Sequence, residues 1–272
     1  QEGFATYYAL LAERDIFGDD YYYWRLYEYS QELLEQDKAG LSTSLLDPKS
    51  SSTTFYKKGA WVLHMLREKV GDKAFKTAVK NYLKKHQFKN VETNDFISEV
   101  EKASEEDLSE FVKVWLEGKD LPEVEIKFFD NSYDSYTILK NDFAIPIKFD
   151  SYKWDGTNNQ ASLIGSEYHT LISKNGLDII DHKTKSIIIN PRFEKLLNLT
   201  LEDNSKAWFV RFILSANFLD KIVVLNNIEQ IDKSERIKIY KYFFIQISPK
   251  IALGYFNCYR FKISCRKSSR NC

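Results

Sequence analysis

The sequence predicts a multidomain α+β protein: an all-helical lobe, then a small antiparallel β-sandwich-like domain, then an α-helical C-terminal region. Three observations carry that prediction. Apolar residues recur at helical spacing, with capping residues at the ends, in five segments between Gly3 and Gly118. From Glu123 the period drops from about 3.6 to 2, first in Val124, Ile126 and Phe128 and again in Ile145, Ile147 and Phe149. With 272 residues, 43% hydrophobic and 29% charged, the chain is a folded one of two or three domains at the usual ~100–200 residues each.

Taken in order, the first helix spans Gly3 to Glu13 and is rich in Ala, Leu and Tyr. Another starts near Thr54, where Phe55, Gly59, Val62, Leu63, Leu66 and Val70 form one apolar stripe. Gly59 lowers the stability of that helix by about 1 kcal/mol relative to Ala, so its place there needs a packing or clearance reason. Gly71 closes this helix and Asp72 caps the next, whose stripe is Phe75, Ala78, Val79, Tyr82 and Leu83. After Ser104-Glu105-Glu106 comes the stripe Leu108, Phe111, Val112, Trp115 and Leu116, ended by Gly118 and Pro122. The dense aromatics Tyr21 to Trp24 are expected to pack between helices.

In the β region Asp155-Gly156 and Asn175-Gly176 read as hairpin turns, and Ile187 to Ile189 before Asn190-Pro191 read as the last strand. Beyond residue 192, the apolar groups at Trp208 to Leu219, Ile222 to Leu225 and Ile237 to Phe244 predict two or three further helices. After Ile245 neither period nor caps are found.

Charge and cysteine content limit the function classes. The 39 basic residues balance 39 acidic ones, but residues 236–272 hold nine basic residues and no acidic one. Residues 1–235 therefore carry 30 basic against 39 acidic residues, which argues against a nucleic-acid surface there. Cys258, Cys265 and Cys272 all lie in the terminal segment, so the body has no disulfide and the even spacing matches no metal motif. No apolar run reaches the roughly 18 to 20 residues that span a bilayer, and no basic-then-apolar leader opens the chain.

Two constellations carry possible chemistry. The first is Glu2-Gly3-Phe4-Ala5-Thr6-Tyr7-Tyr8, an acid at the start of a helix, where a carboxylate also simply favours the helix dipole. The second is Thr54-Phe55-Tyr56-Lys57-Lys58-Gly59-Ala60, in which Tyr56 sits one position off the stripe and also reads as an ordinary core-edge tyrosine. His64 reads as a packed helix residue beside Leu63 and Met65, and His86, His169 and His182 read as surface residues.

Together, in this order, these motifs make the chain resemble the aminopeptidase N family, the zinc aminopeptidases of the gluzincin class. In that family an HExxH helix supplies two His ligands and a catalytic Glu, and a second helix opening on a motif like Asn-Glu-Gly-Phe-Ala supplies the third ligand. Glu2 matches that ligand. A later Tyr-x-Lys-Gly motif, matched by Tyr56, Lys58 and Gly59, supplies a tyrosine that hydrogen-bonds the oxyanion. Ala60 to Arg67, Asp95-Phe96, Leu108 to Trp115 and Leu121-Pro122 are also similar to the family's helical lobe.

The resemblance implies Zn²⁺ as cofactor in the complete enzyme and peptides as substrates. Catalytic zinc takes three protein ligands and a water, and a phenol, neutral at pH 7, can donate to the oxyanion that attack by that water creates. With that resemblance, residues 1–121 are expected to be the helical C-terminal lobe of the catalytic domain, 122–192 a β-sandwich-like domain and 193–244 the start of a helical C-terminal domain, while 245–272, which shows no resemblance, reads from its composition as a basic, Cys-containing tail. This sequence contains no HExxH and no Gly-x-Met-Glu-Asn segment. Both are expected upstream of Gln1, making the upstream half of the catalytic domain a necessary partner and this segment inactive alone. Two rival readings are a non-catalytic peptide-binding or scaffold member of the fold and an epoxide hydrolase related to leukotriene hydrolase.

Overall fold

The computed structural model describes residues 1–128, 134–139, 144–155, 160–171, 178–181, 187–203, 205–214 and 218–246. Within residues 1–121 there are six helical stretches, one more than the sequence pattern predicts: α1 (Glu2–Phe17), α2 (Asp19–Lys38), a π-helical turn (Thr54–Lys58) running into α3 (Gly59–Val70), α4 (Asp72–Lys85), α5 (Thr93–Ser104), and α6 (Ser109–Phe111), which widens into a second π turn (Val112–Glu117). The first helix thus runs past its expected end at Glu13. At the centre lies α3, buried all round from Ala60 to Leu66. The Trp61 indole Nε1 donates to the Leu26 carbonyl of α2 (3.0 Å), so the polar end of this buried aromatic is satisfied.

Three local expectations are corrected. Gly71, not Asp72, caps α4; Asp72 is the first helical residue and pairs with Arg67 at 2.6 Å. Phe75, Ala78 and Val79 are buried, but Leu83 at the far end of the stripe is 62% exposed, because the stripe loses its cover at the last turn of α4. The Ser104-Glu105-Glu106 run does not start a helix. Glu105 takes a left-handed conformation (φ 61°) that closes α5, and the Asp107 carboxylate then accepts the Ser109 N–H (2.8 Å) to start α6.

Two sheets follow. One has four strands in the order β5-β2-β1-β7, the other three in the order β4-β3-β6, where β1 is Glu123–Phe128, β2 Asp134–Leu139, β3 Ile145–Asp155, β4 Gln160–Leu171, β5 Asp178–Asp181, β6 Ile187–Ile189 and β7 Asn198–Glu202. The expected alternation holds: Val124, Ile126, Ile145, Ile147 and Phe149 are buried. β3 and β4 form the antiparallel pair expected around Asp155-Gly156, with register reaching Asp155 opposite Gln160, although Gly156 itself lies outside the described residues. Asn175-Gly176 also lies outside them; the described strands on either side of it, β4 and β5, belong to different sheets. The purely antiparallel expectation is likewise corrected. β7, drawn from beyond residue 192, pairs parallel with β1, because the intervening second sheet supplies the long crossover that a parallel pair needs.

Past β7 come α7 (Ser205–Leu214), α8 (Phe218–Asn226) and α9 (Lys233–Gln246), the helices that the apolar groups predict. Trp208, Phe212, Ile222, Val224 and Ile239 are buried. This region is tied to the N-terminal lobe through the Tyr27 hydroxyl of α2, which accepts from the Asn226 amide (3.2 Å), and the segment before β7 is tied to it through the Leu196 N–H, which donates to Met65 Sδ (3.3 Å). The three cysteines lie outside the described residues. Among the described residues no helix is long and apolar enough to cross a membrane.

Candidate functional site

Two glycines bring the two motifs together. A Cβ on Gly3 would lie 2.8 Å from the backbone carbon and Cα of Gly59, and one on Gly59 would lie 2.9 Å from the Gly3 Cα. Any side chain at either position would overlap backbone, which does not move aside as a flexible side chain does. The first turn of α1, bearing Glu2, therefore touches the start of α3, just after the turn that bears Tyr56. This is the clearance reason that the Gly59 position requires.

The Tyr56 turn is a π helix, a wide turn found mostly in single pieces and often at functional sites. Its Gly59 N–H reaches back to the carbonyls of Thr54 and Tyr56. The two ends of the turn face inward. Thr54 is buried, and its hydroxyl lies 3.0 Å from the Thr43 hydroxyl, accepts from the Gln36 amide (3.0 Å) and lies 3.2 Å from Ser51 Oγ. Lys58 is only 3% exposed. Its ammonium donates to the carbonyls of Gly118 (2.6 Å), Thr43 (3.3 Å) and Lys119 (3.3 Å). Burial pushes the Lys58 ammonium down to about 8, with Asp37 and Asp120 opposing the shift, so it is mostly charged at neutral pH. Between these anchors Phe55 lines a cavity and Tyr56 faces outward, 47% exposed.

That cavity, of about 260 Å³, is walled by Glu2, Gly3 and Phe4 of α1, the α3 stripe Gly59, Val62, Leu63 and Leu66, and residues of α5. The stripe read from the sequence, except Val70 at its end, thus lines the cavity, while Trp61, His64 and Met65 pack on the other side of α3. Glu2 reaches this cavity; Tyr56 stands beside it and is not one of its lining residues. The structure therefore joins the elements that carry the two residues and gives each a different outlook.

His64 is fully buried. Its Nδ1 lies 2.9 Å from the Tyr22 hydroxyl and its Nε2 3.2 Å from the Phe193 carbonyl. Burial pushes it down to about 3, opposed by the bond to Phe193. It is a satisfied packing residue, as its sequence context suggested, and Tyr22, Tyr23 and Trp24 are likewise buried. His86 and His169 are partly buried, not surface residues; the His169 ring packs edge-on against Phe149. His182 lies outside the described residues.

Among the described residues no group of three His, Cys, Asp or Glu side chains is arranged to hold a metal ion. Glu2 is a single carboxylate at a cavity edge, and one carboxylate does not make a zinc site. The described residues do not complete such a site. The sequence also offered no signal for the anchoring roles of Thr43, Thr54 and Lys58: a lysine in a helical run reads as a solvated charge, and a π turn has no compositional mark.

Residues 1–115 match the peptidase family M1 domain. Aminopeptidase N of Lactococcus lactis subsp. lactis is 37% identical over 81 residues, 30% of this chain and 10% of that protein. Glutamyl aminopeptidase of Rattus norvegicus is 24% identical over 274 residues, 89% of this chain and 28% of that protein. A crystal structure of Legionella pneumophila aminopeptidase A in complex with aspartic acid superposes with a TM-score of 0.57 at 17% identity, over 93% of this chain and 29% of that one. At that identity the likeness is one of fold. In each of these comparisons this chain spans less than a third of the relative's length.

Proposed function

We propose, from the match of residues 1–115 to the peptidase family M1 domain and the likeness to aminopeptidases, that the chain forms part of a zinc-dependent aminopeptidase of that family that hydrolyses N-terminal residues from peptides. In this reading Glu2 is one of three zinc ligands, the other two come from outside residues 1–272, and Tyr56 donates a hydrogen bond to the oxyanion. The observation that supports it most is the contact of Gly3 with Gly59. Two glycines permit an approach that no other residue pair allows, and what the approach achieves is to set the Glu2 turn beside the Tyr56 turn. The outward, half-exposed placement of Tyr56 suits a phenol that must meet a substrate atom, whereas a tyrosine kept for packing would be turned inward like Tyr7 and Tyr22.

The test is Tyr56→Phe in the complete protein, assayed on an aminoacyl substrate with zinc content measured in parallel. Loss of one preorganised donor lowers kcat by about 10² to 10³, while Phe keeps the ring, and zinc content and folding stay as they are. A zinc-loaded variant with near-normal kcat would remove Tyr56 from the mechanism.

A further inference from the structure

We propose that Lys58 is the positioning residue for Tyr56: its buried ammonium, together with the Thr54 hydroxyl, pins both ends of the π turn to Thr43 and to the carbonyl end of the second π turn. The inference rests on the reading of Tyr56 as the oxyanion donor and adds the device that holds it.

Geometry supports it from both ends of the turn. Thr43 is the shared post: its hydroxyl meets Thr54 (3.0 Å) and its carbonyl meets Lys58 Nζ (3.3 Å). An ammonium has three N–H donors, and Lys58 has three carbonyl partners, those of Thr43, Gly118 and Lys119. Two of these lie just past the second π turn, near the negative end of its dipole, which favours a cation. Their position is fixed in turn by Gly118. Its N–H donates to the Lys113 carbonyl (3.0 Å), and a Cβ there would stand 2.2 Å from the Val114 oxygen. The lysine is thus matched to a rigid acceptor set.

A methionine or leucine of similar size would fill the same space without desolvating a charge, and burying a charge contributes more to a specific arrangement than to stability. What the charge fixes here is the pitch of a five-residue turn whose middle residue, Tyr56, faces outward and so takes its direction from positions 54 and 58. Misplacing a reacting group by about 1 Å reduces rate by up to about 10²-fold.

A double-mutant cycle in the complete protein tests this. Lys58→Met is expected to lower kcat by about 10- to 100-fold with KM unchanged within about twofold, since a positioning defect acts on the transition state and not on substrate binding. The double variant with Tyr56→Phe is expected to be no slower than Tyr56→Phe alone, because a phenol that is gone has no position to lose. Losses that multiply, or a Lys58→Met enzyme with normal kcat, would overturn the proposal. Should Lys58→Met not fold, Lys58→Arg keeps the cation but not its compact shape and enters the same cycle with the same expected non-additivity; multiplying losses there overturn the proposal equally. Near-normal kcat in Tyr56→Phe alone is a different result, which removes the underlying reading of Tyr56 whatever Lys58 does.

Discussion

Gly59→Ala sets two physical effects against each other. Helix propensity favours the substitution by about 1 kcal/mol, because Ala loses less backbone entropy than Gly. The contact opposes it. The new Cβ would stand 2.9 Å from the Gly3 Cα, a distance that real Cβ atoms essentially never show, while its next neighbours, Gly3 N at 3.5 Å and Leu45 Cδ1 at 3.8 Å, are at ordinary separations. The single overlap is with backbone on a neighbouring helix. Relief therefore means moving the first turn of α1 away from α3, with Phe4 drawn from its packing on Phe96 (ring centroids 4.9 Å). Overpacking of this kind destabilises by about 1 to 3 kcal/mol, and an interaction confined to backbone belongs in the upper half of that range. The expected net result is a loss of about 1 to 2 kcal/mol after the propensity gain, or a fall in melting temperature of about 2 to 8 °C for a chain of this size. Chemical denaturation of both forms, with the slope compared to confirm that the same surface unfolds, measures it. An alanine variant as stable as the parent, or more stable, would mean that α1 does not press on α3 at this point, and the joining of the two motifs would fail with it.

Two further outcomes follow from groups elsewhere in the fold. His64 is held neutral by burial, at about 3 against about 6.5 unfolded, so its contribution is fully present above pH 6.5 and declines as pH falls toward 3, by about 2 kcal/mol between pH 7 and pH 5; urea midpoints for the parent and His64→Gln check this, and identical pH dependence in the two would refute it. Arg211 and Asp203 form a buried pair at 2.8 Å, with the guanidinium also bonded to the Ile187 carbonyl (3.1 Å) and stacked near Trp208 and Phe128. Asp203→Ala should reduce stability by about 3 to 5 kcal/mol, since it removes one partner of a buried ion pair, and a loss below about 1 kcal/mol by denaturant titration would show that water or another group takes the carboxylate's place.

The sequence by itself determined the elements and the chemistry to look for. Helical spacing over Phe75, Ala78 and Val79 and alternation over Ile145, Ile147 and Phe149 are local properties, set by which face of an element must leave water, and they survive in the structure. Glu2-Gly3-Phe4-Ala5 and Tyr56-Lys57-Lys58-Gly59 were legible for the same reason: a motif is a short run of residue types. Gly59 even announced a clearance requirement, though not its partner. Tertiary structure decided the rest. Only folding shows that Gly3 is what Gly59 makes room for, that Lys58 is buried on three carbonyls 15, 60 and 61 residues away, and that β7 lies parallel to β1. Only folding places β4 and β5, neighbours in sequence, in different sheets. Each of these depends on which distant backbone arrives beside a residue, and backbone groups are the same at every position, so the sequence carries no mark of the carbonyl a lysine will find or the glycine a helix will touch.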